Sequence, residues 1–138
     1  MVSNVQRLRS APGDAAPAEI SRAALRGFFA LADYWGLTRD QAMRLLGIDS
    51  TSTYSLWKRE GTRKLPADTL ERISYLLGIH KALRIIFSRH EDSVREWIKK
   101  PNEDPFFGGR SALDYMLAGR VVDLYQVRRY LDAHRGGW

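Results

Sequence analysis

The 138-residue sequence has no cysteine. That excludes a disulfide framework, a thiolate zinc site and a cysteine nucleophile, and it fits a reducing cytoplasm. No apolar run approaches the roughly 20 residues of a membrane-spanning helix. Met1–Pro17 has no signal-peptide apolar core. Histidine is scarce. His80, His90 and His134 each stand alone, with no second histidine or acid at ligand spacing. Phe107-Gly108-Gly109-Arg110 follows no strand, so it is not a phosphate-binding glycine loop. No serine sits in a nucleophile elbow. These absences point away from an enzyme, a resident metal and a cofactor.

Hydrophobic residues make up 44% of the chain, enough for a packed core. The net charge of +6 is unevenly spread. Residues 1–90 hold 14 Lys/Arg against 8 Asp/Glu, whereas residues 91–138 hold 8 of each. A basic first part and a neutral second part suggest nucleic acid for the one and a different partner for the other.

Residues 1–18, with Pro12, Gly13 and Pro17, read as a mobile arm; Arg7 and Arg9 either touch phosphates or, the favoured reading, belong to a plain disordered tail. From Ser21 the period is helical. Leu25, Phe28, Phe29, Ala32 and Trp35 recur at three- and four-residue steps, and Gly36 ends the helix. Thr38 with Gln41 is a capping-box signature. The short helix behind it buries Ala42, Leu45 and Leu46 and stops at Gly47. Asp49 or Ser50 caps the next helix, which ends at Gly61.

Leu65-Pro66 opens a helix lined by Leu70, Ile73, Leu76 and Leu77, which Gly78 is expected to close. A further helix is expected from His80 to Arg89, burying Leu83, Ile86 and Phe87. Another covers Glu91–Lys100 around Val94, Trp97 and Ile98. Pro101 to Gly109 is a loop in which one of Phe106 and Phe107 faces inward and the other outward. Ser111 caps a helix that runs to Gly119. The last helix, Val121–Ala133, buries Val122, Leu124 or Tyr125, Val127 and Leu131. No strand is expected, so the fold class is all-α, with a seam near residues 89–93.

Thr38–Glu60 meets the physical needs of a helix-turn-helix. Thr51, Ser52, Thr53 and Ser55 are short and polar, suited to close approach in a major groove. Lys58, Arg59, Arg63 and Lys64 follow, suited to phosphates. Trp57 reads as packing the helix onto the domain rather than stacking on a base. A DNA reader of this kind works as a dimer on half-sites roughly 34 Å apart. Phe28, Phe29, Tyr34 and Trp35 offer more apolar surface than one face needs: either homodimer contacts are expected on the first helix or these residues form a wide core face.

Gln41-Ala42, Leu45-Leu46-Gly47-Ile48, Tyr54 and Trp57-Lys58 resemble the helix-turn-helix of Xre-type regulators. Trp97, Pro101-Asn102, Phe106, Gly108-Gly109, Ser111, Leu113, Met116, Gly119, Val127 and Tyr130-Leu131 resemble the toxin-binding domain of Xre/MbcA/ParS antitoxins. Ala112 departs from the proline often found after the Ser/Thr. The resemblance implies an Xre-like helix-turn-helix bundle (19–90) followed by a small helical toxin-binding domain (91–138). It implies an antitoxin that covers the NAD pocket of a RES-domain toxin and represses its own operon by binding operator DNA. On this resemblance Phe106, Gly108, Gly109, Arg110, Arg128, Arg129, Tyr130, Arg135, Gly136, Gly137 and Trp138 lie at the toxin. Arg135 would reach an anion-binding region of its pocket. The alternative is a stand-alone regulator whose C-terminal part serves dimerisation.

Overall fold

The structure is a computed structural model that describes residues 17–88 and 90–134. Residues 1–16 of the arm expected over 1–18, and the tail Arg135, Gly136, Gly137 and Trp138, lie outside the described residues, whereas Pro17 and Ala18 belong to the first helix. Among the described residues there are seven α-helices and no strand, so the fold is all-α. They are α1 (Pro17–Trp35), α2 (Arg39–Leu46), α3 (Thr51–Glu60), α4 (Ala67–Ile86), α5 (Glu91–Lys99), α6 (Ala112–Met116) and α7 (Val121–His134). A single-turn 3-10 helix, Pro105–Phe107, interrupts the loop between α5 and α6.

Side-chain caps open three of the described helices. Thr38 Oγ1 accepts from the Gln41 N–H at 3.1 Å, and Gln41 Oε1 accepts from the Thr38 N–H at 2.9 Å. Ser50, not Asp49, caps α3, accepting from the Thr53 N–H at 3.1 Å. Ser111 caps α6 by accepting from the Asp114 N–H at 3.0 Å.

Gly78 does not end a helix: α4 runs unbroken from Ala67 to Ile86. An interior glycine costs a helix about 1 kcal/mol relative to alanine. Here it makes room, because a Cβ at Gly78 would lie 1.5 Å from the Arg128 guanidinium of α7. The Arg128 Nε in turn donates to Asp132 at 3.0 Å. Thus α7 settles along α4, the most extensive helix pairing in the chain. Buried side chains of both helices join a core that is continuous across residues 89–93.

Three further side chains cross that seam. Arg95 Nε donates to the Tyr34 carbonyl at 2.7 Å and Lys99 Nζ to the Gly36 carbonyl at 3.3 Å. The last turn of α1 has no basic residue of its own. These two cations of α5 supply the charge that a helix C-terminus favours. Arg44 of α2 donates to the Leu117 carbonyl after α6.

Two expectations about exposure need correction. Phe28 and Trp35 are fully buried inside the chain. Phe29 packs edge-on against Phe28 and Tyr54, and Tyr34 against His80. Phe28 and Trp35 therefore belong to the core of the chain, and Phe29 and Tyr34 keep only part of their surface outside it. In α7, Val122 is exposed and Leu124, not Tyr125, is the buried residue. Asp123 takes the inward position beside Val122 and pairs with Arg120 at 2.8 Å. Ile86 and Phe87 are only half-buried.

Trp35 Nε1 donates to His80 Nδ1 at 3.0 Å, so His80 must be neutral on that nitrogen. Burial, and then the nearby Arg84 charge, hold the His80 imidazole below its usual 6.5. The aromatic rings of Tyr34 and Trp35 face it from α1, and Arg95 of α5 lies over Tyr34 at 4.7 Å. A depressed folded value gives stability that is present above 6.5 and is lost as the pH falls through the folded value. The urea midpoint should therefore drop as the pH falls below 6.5. His80→Gln, which retains an acceptor for Trp35, should flatten that dependence; an equally steep profile would locate its cause elsewhere.

Candidate functional site

The helix-turn-helix is α2, its turn, and α3. Gly47 ends α2 at φ 74°, and a Cβ there would lie 2.6 Å from Arg72 Nε. Both backbone conformation and space thus require glycine. Arg72 is itself fixed by Asp68, at 2.8 Å one turn earlier on α4. The turn between the two helices is thereby held from below by α4.

Tyr54 and Trp57 point from α3 into the core. This fixes which side of α3 faces out. Thr51, Ser52, Ser55, Lys58 and Arg59 are exposed, as are Arg63 and Lys64 in the following connection. Thr53 is half-buried, at the margin of this surface. Arg59 is paired with Glu60 at 3.0 Å. Leu56, 43% exposed, lies on the outer face among the polar residues. An apolar side chain there suits a thymine methyl. Its signal in the sequence was its place between Ser55 and the buried Trp57.

Arg39 is a second residue that sequence reasoning passed over. It opens α2 and joins Ser55, Lys58 and Arg59 around a shallow concavity of about 370 Å3. Burial raises the Tyr54 phenol above its usual value, and the Arg39 charge opposes that rise.

At the other end of the chain, the loop from Pro101 to Ser111 is closed by an antiparallel bridge between those two residues. Asn102 N–H donates to the Arg110 carbonyl at 3.0 Å. Phe107 is the inward ring, with zero exposure, and Phe106 is half-buried. Phe107 meets Phe106, Tyr130, Trp97 and Tyr115 edge-on, with centroids 4.8, 5.0, 5.7 and 5.7 Å away. Asp104 accepts from the Phe106 N–H and from the Tyr130 hydroxyl, each at 2.9 Å. These two bonds hold the Asp104 carboxyl below its usual range. Burial first, and then Asp104, push the Tyr130 phenol up to about 12.

On this platform Gly108 and Gly109 turn at φ 61° and 83° with open space where a Cβ would stand. Arg110 is exposed, with its guanidinium 5.0 Å from the Tyr115 ring centre. Phe106, Gly108, Gly109, Arg110 and Tyr130 are thus brought together. Arg128 and Arg129 are not: successive residues of a helix point about 100° apart. Arg128 turns to Gly78, and Arg129 lies 5.9 Å from the Tyr125 ring centre. No described helix is long and apolar enough to cross a membrane.

Comparison with known proteins gives a family match in each part of the chain. Residues 14–78 match the model of the antitoxin Xre-like helix-turn-helix domain. Residues 82–137 match that of the antitoxin Xre/MbcA/ParS C-terminal toxin-binding domain. The chain is also 54% identical over 115 residues to the uncharacterized protein y4oB of Sinorhizobium fredii, spanning 83% of this chain and 86% of that protein. With one domain model on the helix-turn-helix and the other on the aromatic platform, the chain belongs to the Xre/MbcA/ParS-type antitoxins of toxin–antitoxin systems.

Proposed function

We propose that this antitoxin inhibits a RES-domain, NAD-degrading toxin by covering its active site, and represses its own operon by binding operator DNA as a homodimer. Residues 19–90 serve DNA and residues 91–138 serve the toxin. The observation that carries the reading is the tandem match to an Xre-like helix-turn-helix domain and a toxin-binding domain. The RES identity rests on the family resemblance. The exposed Gly108-Gly109-Arg110 turn, standing on a buried aromatic anchor, supports a contact made by backbone and one directional cation. The exposed hydroxyls of α3 beside Lys58 and Arg59 support major-groove entry with phosphate contacts at its edge.

The test is co-expression with the adjacent open reading frame, followed by pull-down and by NAD content in cells that express each alone. A stable complex, with NAD loss only when the neighbour acts alone, is expected. No complex and no toxicity would leave a DNA-binding regulator. A chain truncated after His134 should lose inhibition while still folding, because Arg135 is expected to enter the toxin's pocket. Undiminished inhibition by that chain would remove the tail from the mechanism.

A further inference from the structure

The basic surface does not stop at α3. Arg22, Leu25, Arg26 and Phe29 of α1 form one wall of an open groove of about 560 Å3, and Trp57 to Gly61 form the other. Lys58 and Arg59 line both this groove and the concavity that contains Arg39 and Ser55. One basic track therefore runs from Arg39, past Lys58 and Arg59, to Arg26 and Arg22. Both α1 arginines are exposed, and no ion pair joins either to an acid among the described residues. The acid within the groove, Glu60, is already engaged by Arg59 at 3.0 Å. Glu19, also exposed, lies a turn before Arg22.

We propose that Arg22 and Arg26 grip the phosphate backbone of DNA beside the stretch that α3 reads, which extends the DNA-contacting surface onto α1. This rests on the DNA-binding reading of α3. Four residues of α-helix rise about 6 Å, and one DNA strand presents a phosphate about every 3.4 Å along its axis. Two arginines one turn apart can thus meet phosphates one or two steps apart. Phe29 and Trp57 line the same groove as the four cations, so alkyl stems can lie on apolar surface with their charged heads outward. The contact is to the backbone, so it adds affinity without sequence preference.

The test is fluorescence anisotropy of the full-length protein with a labelled duplex of random sequence, measured across a salt series. Each lost phosphate contact lowers the slope of log K against log salt by about 0.9. Arg22→Ala with Arg26→Ala should reduce the slope by about 2 and weaken binding on the order of tenfold. Arg22→Lys with Arg26→Lys should restore the slope, because the charge is kept. Lys58→Ala with Arg59→Ala should reduce it separately. If the Lys58/Arg59 variant loses slope and a folded Arg22/Arg26 alanine variant does not, the proposal is overturned and the α3 reading stands. If the native chain binds no duplex at all, both are overturned.

Discussion

Replacing Phe107 by alanine should cost about 3–5 kcal/mol of unfolding free energy, the range for truncating a buried aromatic ring. That is a large share of the 5–15 kcal/mol typical of a whole domain. The ring is fully buried and meets four other aromatic rings edge-on. Such pairs add about 0.5–1.5 kcal/mol each beyond their buried area. Denaturant unfolding measures the loss directly. Phe107→Leu, which keeps most of the volume, should cost markedly less. The functional consequence follows from position. Phe107 lies directly beneath Gly108, Gly109 and Arg110, so its removal frees the turn that carries them. Toxin capture should fall in a pull-down even at a temperature where the variant remains folded. A loss of stability below about 1.5 kcal/mol would show that the other rings hold the loop without it.

Replacing Ser52 by glutamate should abolish specific DNA binding without weakening the fold. Ser52 is exposed in the first turn of α3, which has no acidic residue there. A carboxylate at that place favours the helix by about 0.3–1 kcal/mol. The same charge is carried into a groove bordered by phosphates, and it displaces a small hydroxyl from the base edges. A lost base contact alone is worth about 1–3 kcal/mol, or roughly tenfold to a hundredfold in affinity. The measurements are the melting temperature and an operator-binding titration on the DNA upstream of the gene. An unchanged or higher melting temperature with binding reduced at least tenfold is expected. Equal binding by the variant would move the base-reading surface away from the start of α3.

Together the two substitutions separate the surfaces. The Phe107 variant should retain DNA binding where it is folded, because α2 and α3 are held by Gly47, Arg72 and the core beneath Tyr54 and Trp57. The Ser52 variant should still capture the toxin. Crosstalk between the two would travel through the seam, where Arg128 packs at Gly78 and Arg95 and Lys99 close the end of α1.

What the sequence determined by itself was whatever is enforced within about four residues. The glycine that ends α1, the Thr38–Gln41 box, the turn at Gly47 and the Ser111 cap are all satisfied by neighbours in the chain, so their residue types carry the signal. The charge asymmetry and the resemblance to the antitoxin family were equally legible. What only the tertiary structure decided depended on partners far away in sequence. Gly78 reads as a stop until Arg128 is seen to need its space. Trp35 reads as spare surface until His80, 45 residues away, is found at its indole nitrogen. Arg22 and Arg26 carry no local signal; the packing of α1 on α3 alone sets them in one groove with Lys58 and Arg59. The physical reason is the same each time. A cap is a local hydrogen bond, whereas burial and charge juxtaposition belong to the packed core, which brings together segments that no local pattern connects.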